Sequence, residues 1–590
     1  MQALPKHLQK YVVEQNYERY TPVNQACWRY ILKQLRAFLS KHAHESYVEG
    51  LQKTGIDLER IPRIEDISKK LEKFGWRALP VSGFIPPAAF MELQSLGVLP
   101  IASDMRSIDH LEYTPAPDIV HEAAGHAPIL IQPEFAQYLR EYAQVARKAI
   151  ISKEDLDVYE AIRELSDLKE NPESTAAQIE AAQKKLDHVS ENVSHVSEAA
   201  ELGRMNWWTA EYGLIGDPKN PKIYGAGLLS SVGESKLCLE EKVVKRPISV
   251  DCIQQSYDIT EPQPQLYITP DFKTLSQVLR QMASKMAFRV GGLEALEKAR
   301  KAASVNTVEF NSGLQLSGVL KTIHVQNGRP TYLQFEGPLQ ISMNGIQLEG
   351  HGREWHPAGF STVVGHFKAE PNKCPSEFTQ SDWQIMGFIP GRKIDFEYAS
   401  GIRVRGVLKN ILAKDGKTLM LTFADCTVTR PVAHPVSDGN NILFQPDWGI
   451  YDLPLGCQVT SVFSGPADRI SYGEMDDFVA KRVATPNYSE KELRQFGQYQ
   501  VLRDLREQNA NKEKLNSAIE ILVKTHLLEF PTDWLFYLEA FELVQERMPE
   551  SPLASQLKIH LEKIAHQDPK KAGPIQDGLN LCEPLKSTSS

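Results

Sequence analysis

The sequence predicts a chain in three parts: a mainly α region over 1–300, a β-rich region over 305–475 containing a two-copy repeat, and a helical tail over 485–570. Three observations predict this. Apolar residues recur at helical spacing through the first part, as in CWRYILKQLRAFLSKH, where Trp28, Ile31, Leu32, Leu35 and Leu39 fall on one stripe. After KARKAASVNT the texture changes to short alternating apolar runs broken by Gly, Asn and Asp, the pattern of strands and tight turns. From Tyr488 to about His566 the helical period returns.

Taken in order, residues 1 to about 80 form a helical lead-in, followed by the apolar stretch GFIPPAAFMELQSLGVLPIA. Two adjacent prolines and a glutamate make that stretch a buried core segment rather than a membrane span. The block over 148–203 is polar and charged. It carries one helical stripe at Val158, Ile162, Leu165 and Leu168, a break at NPES, and a second stripe at Ile179, Leu186, Val189, Val193 and Val196. This reads as a helical hairpin inserted on the domain surface. Within the β-rich part, GLQLSGVLKTIHVQNGRPTYLQF (313–335) aligns without a gap on GIRVRGVLKNILAKDGKTLMLTF (401–423). The turns QNG and KDG place glycine where a tight hairpin needs positive φ, so two copies of one small β unit are expected. In the tail, TDWLFYLEAFELVQERM is a helix that Thr532 or Asp533 could cap.

With 75 acidic and 66 basic residues the formal charge is −9, which argues against a nucleic-acid partner. The N-terminus has no signal-peptide core, and no uninterrupted apolar run reaches membrane-spanning length. Seven cysteines without a CxxC indicate neither a disulfide framework nor a thiolate zinc site. The expected setting is a reducing cytoplasm, with no membrane partner.

The chemistry concentrates in PDIVHEAAGHAP, residues 117–128. A His-Glu pair and a second His suggest a zinc peptidase, but there the histidines stand four apart and here they stand five apart. On a regular helix that spacing separates the side chains by about 140°, too far to share an ion. A way out is to end the helix at Gly125, with Pro128 as a stop, so that His121 sits on the last turn and His126 on the loop beyond. Thr114 would cap the other end and Pro115 take the first helical position. Asp118, three residues before His121, would accept the imidazole N–H and orient the ring. Taken alone, the motif leaves open a helix end with two solvent-facing histidines. If the pair binds iron, a carboxylate should complete the set.

YTPAPDIVHEAAGHAP, followed by WWTAEYGL and YGAGLLSSVGE, resembles the pterin-dependent aromatic amino acid hydroxylases. The likeness runs from about 17 to 290 outside the 148–203 block, through YTPVNQACW, IPRIEDISKKLEKFGWRALPVSGFIPPAAF, DMRSIDHLEYTP and YDITEPQPQLYI. It implies a mainly α catalytic domain of that type, with His121, His126 and Glu211 as the iron ligands. It implies that Asp118 orients the first histidine and that Glu122 lies beside the pterin. Arg106 and Thr114 match the groups holding the substrate carboxylate, Ser230 joins them, and Pro117 and Trp207 wall the substrate ring. Gly83, Phe84, Ile85 and Phe90 match the pterin platform, with Tyr257 read as either core or pterin-side. The implied cofactors are Fe(II) and a tetrahydropterin, tetrahydrobiopterin or a relative, with dioxygen as co-substrate. The implied reaction is ring hydroxylation, most simply of phenylalanine to tyrosine as in bacterial members; tryptophan or tyrosine hydroxylation stays open, and a zinc peptidase-like hydrolase is disfavoured by the spacing.

The sequence departs from the family in places. Asn206 stands where a tyrosine is usual, and the lid tyrosine is either Tyr17 or Tyr20. No regulatory domain is expected ahead of the catalytic region. Residues 305–590 are expected to form a separate binding or homo-oligomerisation module, without which the catalytic part folds. His351 and His356 there, flanking GREW, read as surface residues.

Overall fold

The computed structural model describes residues 4–81, 83, 85–111, 117–170, 174–258, 261–431, 441–473, 487–508 and 511–582. They form two compact units that cut across the linear three-part division. One comprises 8–143, 204–278 and 478–590; the other comprises 1–7, 144–203 and 279–477.

The first unit is mainly helical. Its helix Pro22–His42 opens with a reciprocal cap between Thr21 and Asn24 and a proline in its first turn. All five stripe residues, Trp28 to Leu39, are buried. The segment after it forms the strands Arg77–Val81 and Val98–Ala102, paired in parallel and bridged by the helix Pro87–Ser95, so the apolar stretch is core as expected. A four-stranded sheet is ordered Asn220–Ile223, Leu214–Asp217, Gln265–Thr269, Val244–Pro247.

The helical tail is part of this unit, which corrects the expectation that the whole of 305–590 stands apart. The Arg29 guanidinium, 4% exposed, is held by Glu539 at 2.7 Å, Glu59 at 2.6 Å and Glu542, while Lys33 reaches Glu542 at 2.9 Å. Tyr30 packs edge-on against Trp534 and donates to the carbonyl of Pro574 at 2.8 Å. A sequence reading misses this because charges some 500 residues apart carry no local signal. Asp533 does take the N-cap position of the helix Trp534–Arg547, but its side chain does not cap; it accepts from Tyr499 Oη at 2.7 Å.

The second unit holds the insertion and the β-rich region. The hairpin is present as the helices Lys153–Glu170 and Ala176–Glu191. The second helix ends before Val193 and Val196, which are exposed rather than part of its apolar stripe. One antiparallel sheet runs Ile346–Gln347, Arg329–Met343, Leu314–Gln326, Val305–Phe310, Val459–Ser464, with Gly359–Val363 also on Arg329–Met343. The other runs Lys393–Glu397, Arg403–Lys414, Lys417–Thr429, Ile442–Phe444, with Tyr451–Pro454 on Lys417–Thr429. Both hairpins turn at positive φ, through Asn327-Gly328 and Asp415-Gly416. An aliphatic core with Leu314, Leu316 and Ile341 underlies the first sheet, and an aromatic core of Phe367, Trp383, Phe388, Tyr398 and Phe423 underlies the second.

Candidate metal centre

His121 and His126 lie on a π-helical turn, Val120–His126, which continues into a 3₁₀ turn, Ala127–Ile131. A π turn closes i→i+5, so residues five apart come to the same face. The spacing that defeats a regular helix is therefore the spacing this turn requires, and no chain break at Gly125 is needed. Gly125 lies inside the turn, not at a C-cap, and has another use: a Cβ there would meet the Ala226 carbonyl oxygen at 2.6 Å. Glu211 ends a second π turn, Trp207–Glu211. Thr114 and Pro115 lie outside the described residues.

The three side chains converge. His121 Nε2 and His126 Nε2 are 3.2 Å apart, and the Glu211 carboxylate oxygens stand 3.3 Å from the first and 3.4 Å from the second. His121 Nδ1 is 3.1 Å from Ser230 Oγ, whose own proton goes to the Ala226 carbonyl at 2.7 Å. Ser230 therefore accepts from Nδ1–H, and the lone pair of Nε2 is left facing the centre. This corrects the role expected of Asp118. Its carboxylate takes the His121 backbone N–H at 3.0 Å and grips Arg106 through Nε and Nη2, both at 2.8 Å. Arg106, 6% exposed, is thus taken up by Asp118, and its Nη1 reaches the Ser230 carbonyl at 3.4 Å.

The electrostatics follow from burial. Desolvation opposes charge on His126, but Glu211 outweighs it and lifts the imidazole pKa to about 9, while the histidines hold Glu211 well below the carboxylate range. Burial raises Asp118 less than Arg106 lowers it, so it is held down, whereas burial pushes Glu122 up. Glu122 Oε2 and His126 Nδ1 are buried without partners among the described residues. Two imidazole nitrogens and a carboxylate meeting at these distances are the donor set of a mononuclear iron site with open positions, so the residues fit the metal. Asn206 Nδ2 donates to Glu211 Oε1 at 3.3 Å.

Trp207 stacks between Tyr212, at 4.4 Å, and Tyr257, at 4.2 Å and 7°, which makes it a rigid wall. Pro117 is exposed beside Asp118. Gly83, at φ +53°, and buried Ile85 come from the segment between Arg77–Val81 and the helix Pro87–Ser95, and half-buried Phe90 from that helix; Phe84 lies outside the described residues. Tyr20 is buried and donates to the Ser103 carbonyl; Tyr17 donates to the Ile61 carbonyl at 2.7 Å.

Two π turns aim two histidines and a glutamate at one point, a donor set of the kind that non-haem iron oxygenases use. The sequence profile of the biopterin-dependent aromatic amino acid hydroxylases matches residues 9–155 and 182–292, leaving out most of the helical hairpin. The phenylalanine-4-hydroxylase of Mesorhizobium japonicum is 29% identical over 295 residues, 49% of this chain and 87% of the relative. That of Pseudomonas aeruginosa is 26% identical over 270 residues, 45% and 86%. The crystal structure of Chromobacterium violaceum phenylalanine hydroxylase with iron(III) and 7,8-dihydrobiopterin covers 48% of this chain and 95% of its own, at 24% identity and a TM-score of 0.37. Residues 9–155 and 182–292 thus carry the likeness to the biopterin-dependent aromatic amino acid hydroxylases, and a long β-rich and helical extension follows them.

Gly125→Ala tests the local architecture. The new Cβ must displace the carbonyl that anchors Ser230, and through it His121. The expected result is a stability loss of about 1–3 kcal/mol and iron affinity reduced about 10–100-fold. Thermal unfolding and iron titration read both, and wild-type values in both would mean that the close approach does not exist.

Proposed function

We propose that the protein is an Fe(II)- and tetrahydropterin-dependent monooxygenase that hydroxylates the ring of phenylalanine to give tyrosine. The observation that carries this reading is the convergence of His121, His126 and Glu211 within 3.2–3.4 Å. The substrate is supported by the relatives, which are phenylalanine-4-hydroxylases. Bound iron and reduced pterin supply the activation of dioxygen; the chain supplies position and dryness.

Ser230 holds the His121 tautomer and Asn206 donates to Glu211, so two of the three ligands are oriented from outside the centre. Asp118 locks the Arg106 fork, leaving Nη1 as the group to meet an amino-acid carboxylate, a role that Thr114, outside the described residues, is proposed to share. Trp207, fixed by two tyrosines, and Pro117 bound the ring. Glu122, together with the Gly83–Ile85 backbone and Phe90, would hold the pterin. Tyrosine formation by the iron-loaded chain with tetrahydropterin and phenylalanine tests the reading. Tryptophan and tyrosine run in parallel decide the substrate by kcat/KM, and no pterin-dependent hydroxylation of any of the three would overturn it.

Arg106→Lys keeps the charge and loses the fork. KM for the amino acid is expected to rise roughly tenfold to a hundredfold, about 1.4–2.7 kcal/mol, with a much smaller change for the pterin. Steady-state kinetics in each substrate check it, and equal effects would place Arg106 outside the carboxylate site.

In the extension, the two hairpins are proposed to be copies of one β unit. Their irregularities support it: register shifts at Ser317/Val319, Leu320/Thr322 and His324/Val325 recur at Arg405/Val407, Leu408/Asn410 and Leu412/Ala413. The role assigned to this β-rich part is association between copies of the chain in a reducing, cytoplasmic setting, which light scattering of the full chain would test; a monomer would remove it.

A further inference from the structure

We propose that His351, His356 and Asp452 bind a second divalent transition-metal ion, which ties together the two β-sheets of the extension. The two histidines lie in the segment between Ile346–Gln347 and Gly359–Val363. Their backbone carbonyls are pinned to one strand: His351 O accepts from Ile341 N at 2.9 Å and His356 O from Leu339 N at 3.1 Å. Asp452 comes from the other sheet, on Tyr451–Pro454, opposite Thr422.

The ligand atoms of the three residues lie within 4.8 Å of one another. His351 Nδ1 and His356 Nε2 are 3.2 Å apart. Two nitrogens about 2.0–2.1 Å from a common ion, at angles of 90–110°, stand about 2.8–3.4 Å apart. The same 3.2 Å separates the two imidazole nitrogens of the His121/His126 centre, whose donor set is also two histidines five residues apart and one carboxylate. Asp452 is prepared for the role: Thr422 Oγ1 donates to its Oδ1 at 2.8 Å, which orients the carboxylate and leaves Oδ2 for the ion. Asp452 makes no ion pair among the described residues, and the nearest guanidinium on the histidine loop, Arg353, is drawn away to the Tyr472 carbonyl and ring. All three residues are part-exposed, so an ion has a way in. Imidazole with carboxylate selects the zinc, iron, cobalt and nickel class over magnesium or calcium. This site is unlike the surface histidines that the spacing alone suggested.

The test uses the full chain, stripped with a chelator and titrated with Co(II), read by equilibrium dialysis and visible absorption. Two equivalents are expected for the wild type. His356→Gln and Asp452→Asn should each bind the second equivalent at least tenfold more weakly while keeping the first. The reciprocal variant, His126→Ala, should lose the first and keep the second, which guards against misfolding of the extension variants. A single equivalent in the wild type, none in His126→Ala, or two at wild-type affinity in both extension variants would overturn the proposal and leave the histidines as an N–H···N hydrogen-bonded pair.

Discussion

Replacing His121, His126 or Glu211 with alanine is expected to abolish hydroxylation and to cut the iron held by the Glu211 centre to under about a tenth of the wild-type level, while the domain stays folded. Two remaining ligands cannot hold Fe(II) against water in a site built for three. The fold is expected to survive because the apolar packing rests on other residues of the π turns, such as Val120, Ala123, Ala124 and Trp208, each at or below 1% exposure. Ser230→Ala gives the graded counterpart. It removes the acceptor for His121 Nδ1–H and is expected to weaken iron about 10–100-fold without removing a ligand. Iron titration, with far-ultraviolet dichroism as the control for folding, separates the two outcomes. Full turnover with wild-type iron in any one of the three ligand variants would sink the assignment.

Arg29→Ala is expected to destabilise the helical unit by about 3–5 kcal/mol, the cost of leaving a buried charge without its partner. Glu539 and Glu542, 8% and 5% exposed, face Arg29 together with Arg506 and Lys33. Removing the central guanidinium leaves two buried carboxylates to share the remaining cations. The same argument reverses the expectation that the catalytic part folds alone. A chain ended near residue 306 would strand Arg29 and uncover the face of Pro22–His42 that packs on the tail, so it should be insoluble or unfolded rather than active. Denaturant unfolding of the variant and expression of the shortened chain measure these effects. A loss below about 1 kcal/mol, or a soluble, iron-loaded shortened chain, would show the ion cluster to be a screened surface feature.

The helical lead-in, the inserted hairpin, the two turns at Asn327-Gly328 and Asp415-Gly416 and the His121/His126 pair could be read from residues in line. Each is specified by a period, a turn dipeptide or a short motif whose parts are neighbours along the chain. Partners distant along the chain are not legible in this way, and the nearest candidate is then a misleading guide. By that guide the His121 ring goes to Asp118, three residues away, whereas the hydroxyl that holds it belongs to Ser230, 109 residues on. A helix ended at Gly125 was expected from the five-residue spacing, although that spacing was itself the sign of a π turn.

The sequence by itself determined what each segment does locally: where helices begin, where strands turn, and which side chains are chemically able to hold iron, because those properties depend on backbone preference and side-chain type. Only the tertiary structure decided which groups meet. The tail helices join the iron-bearing unit because Glu539 and Glu542 find a buried arginine about 510 residues earlier in the chain. His351 and His356 meet Asp452 because two sheets bring together strands that follow no common period. Such pairings are settled by burial and charge in three dimensions, and local sequence carries no record of them until the chain has folded.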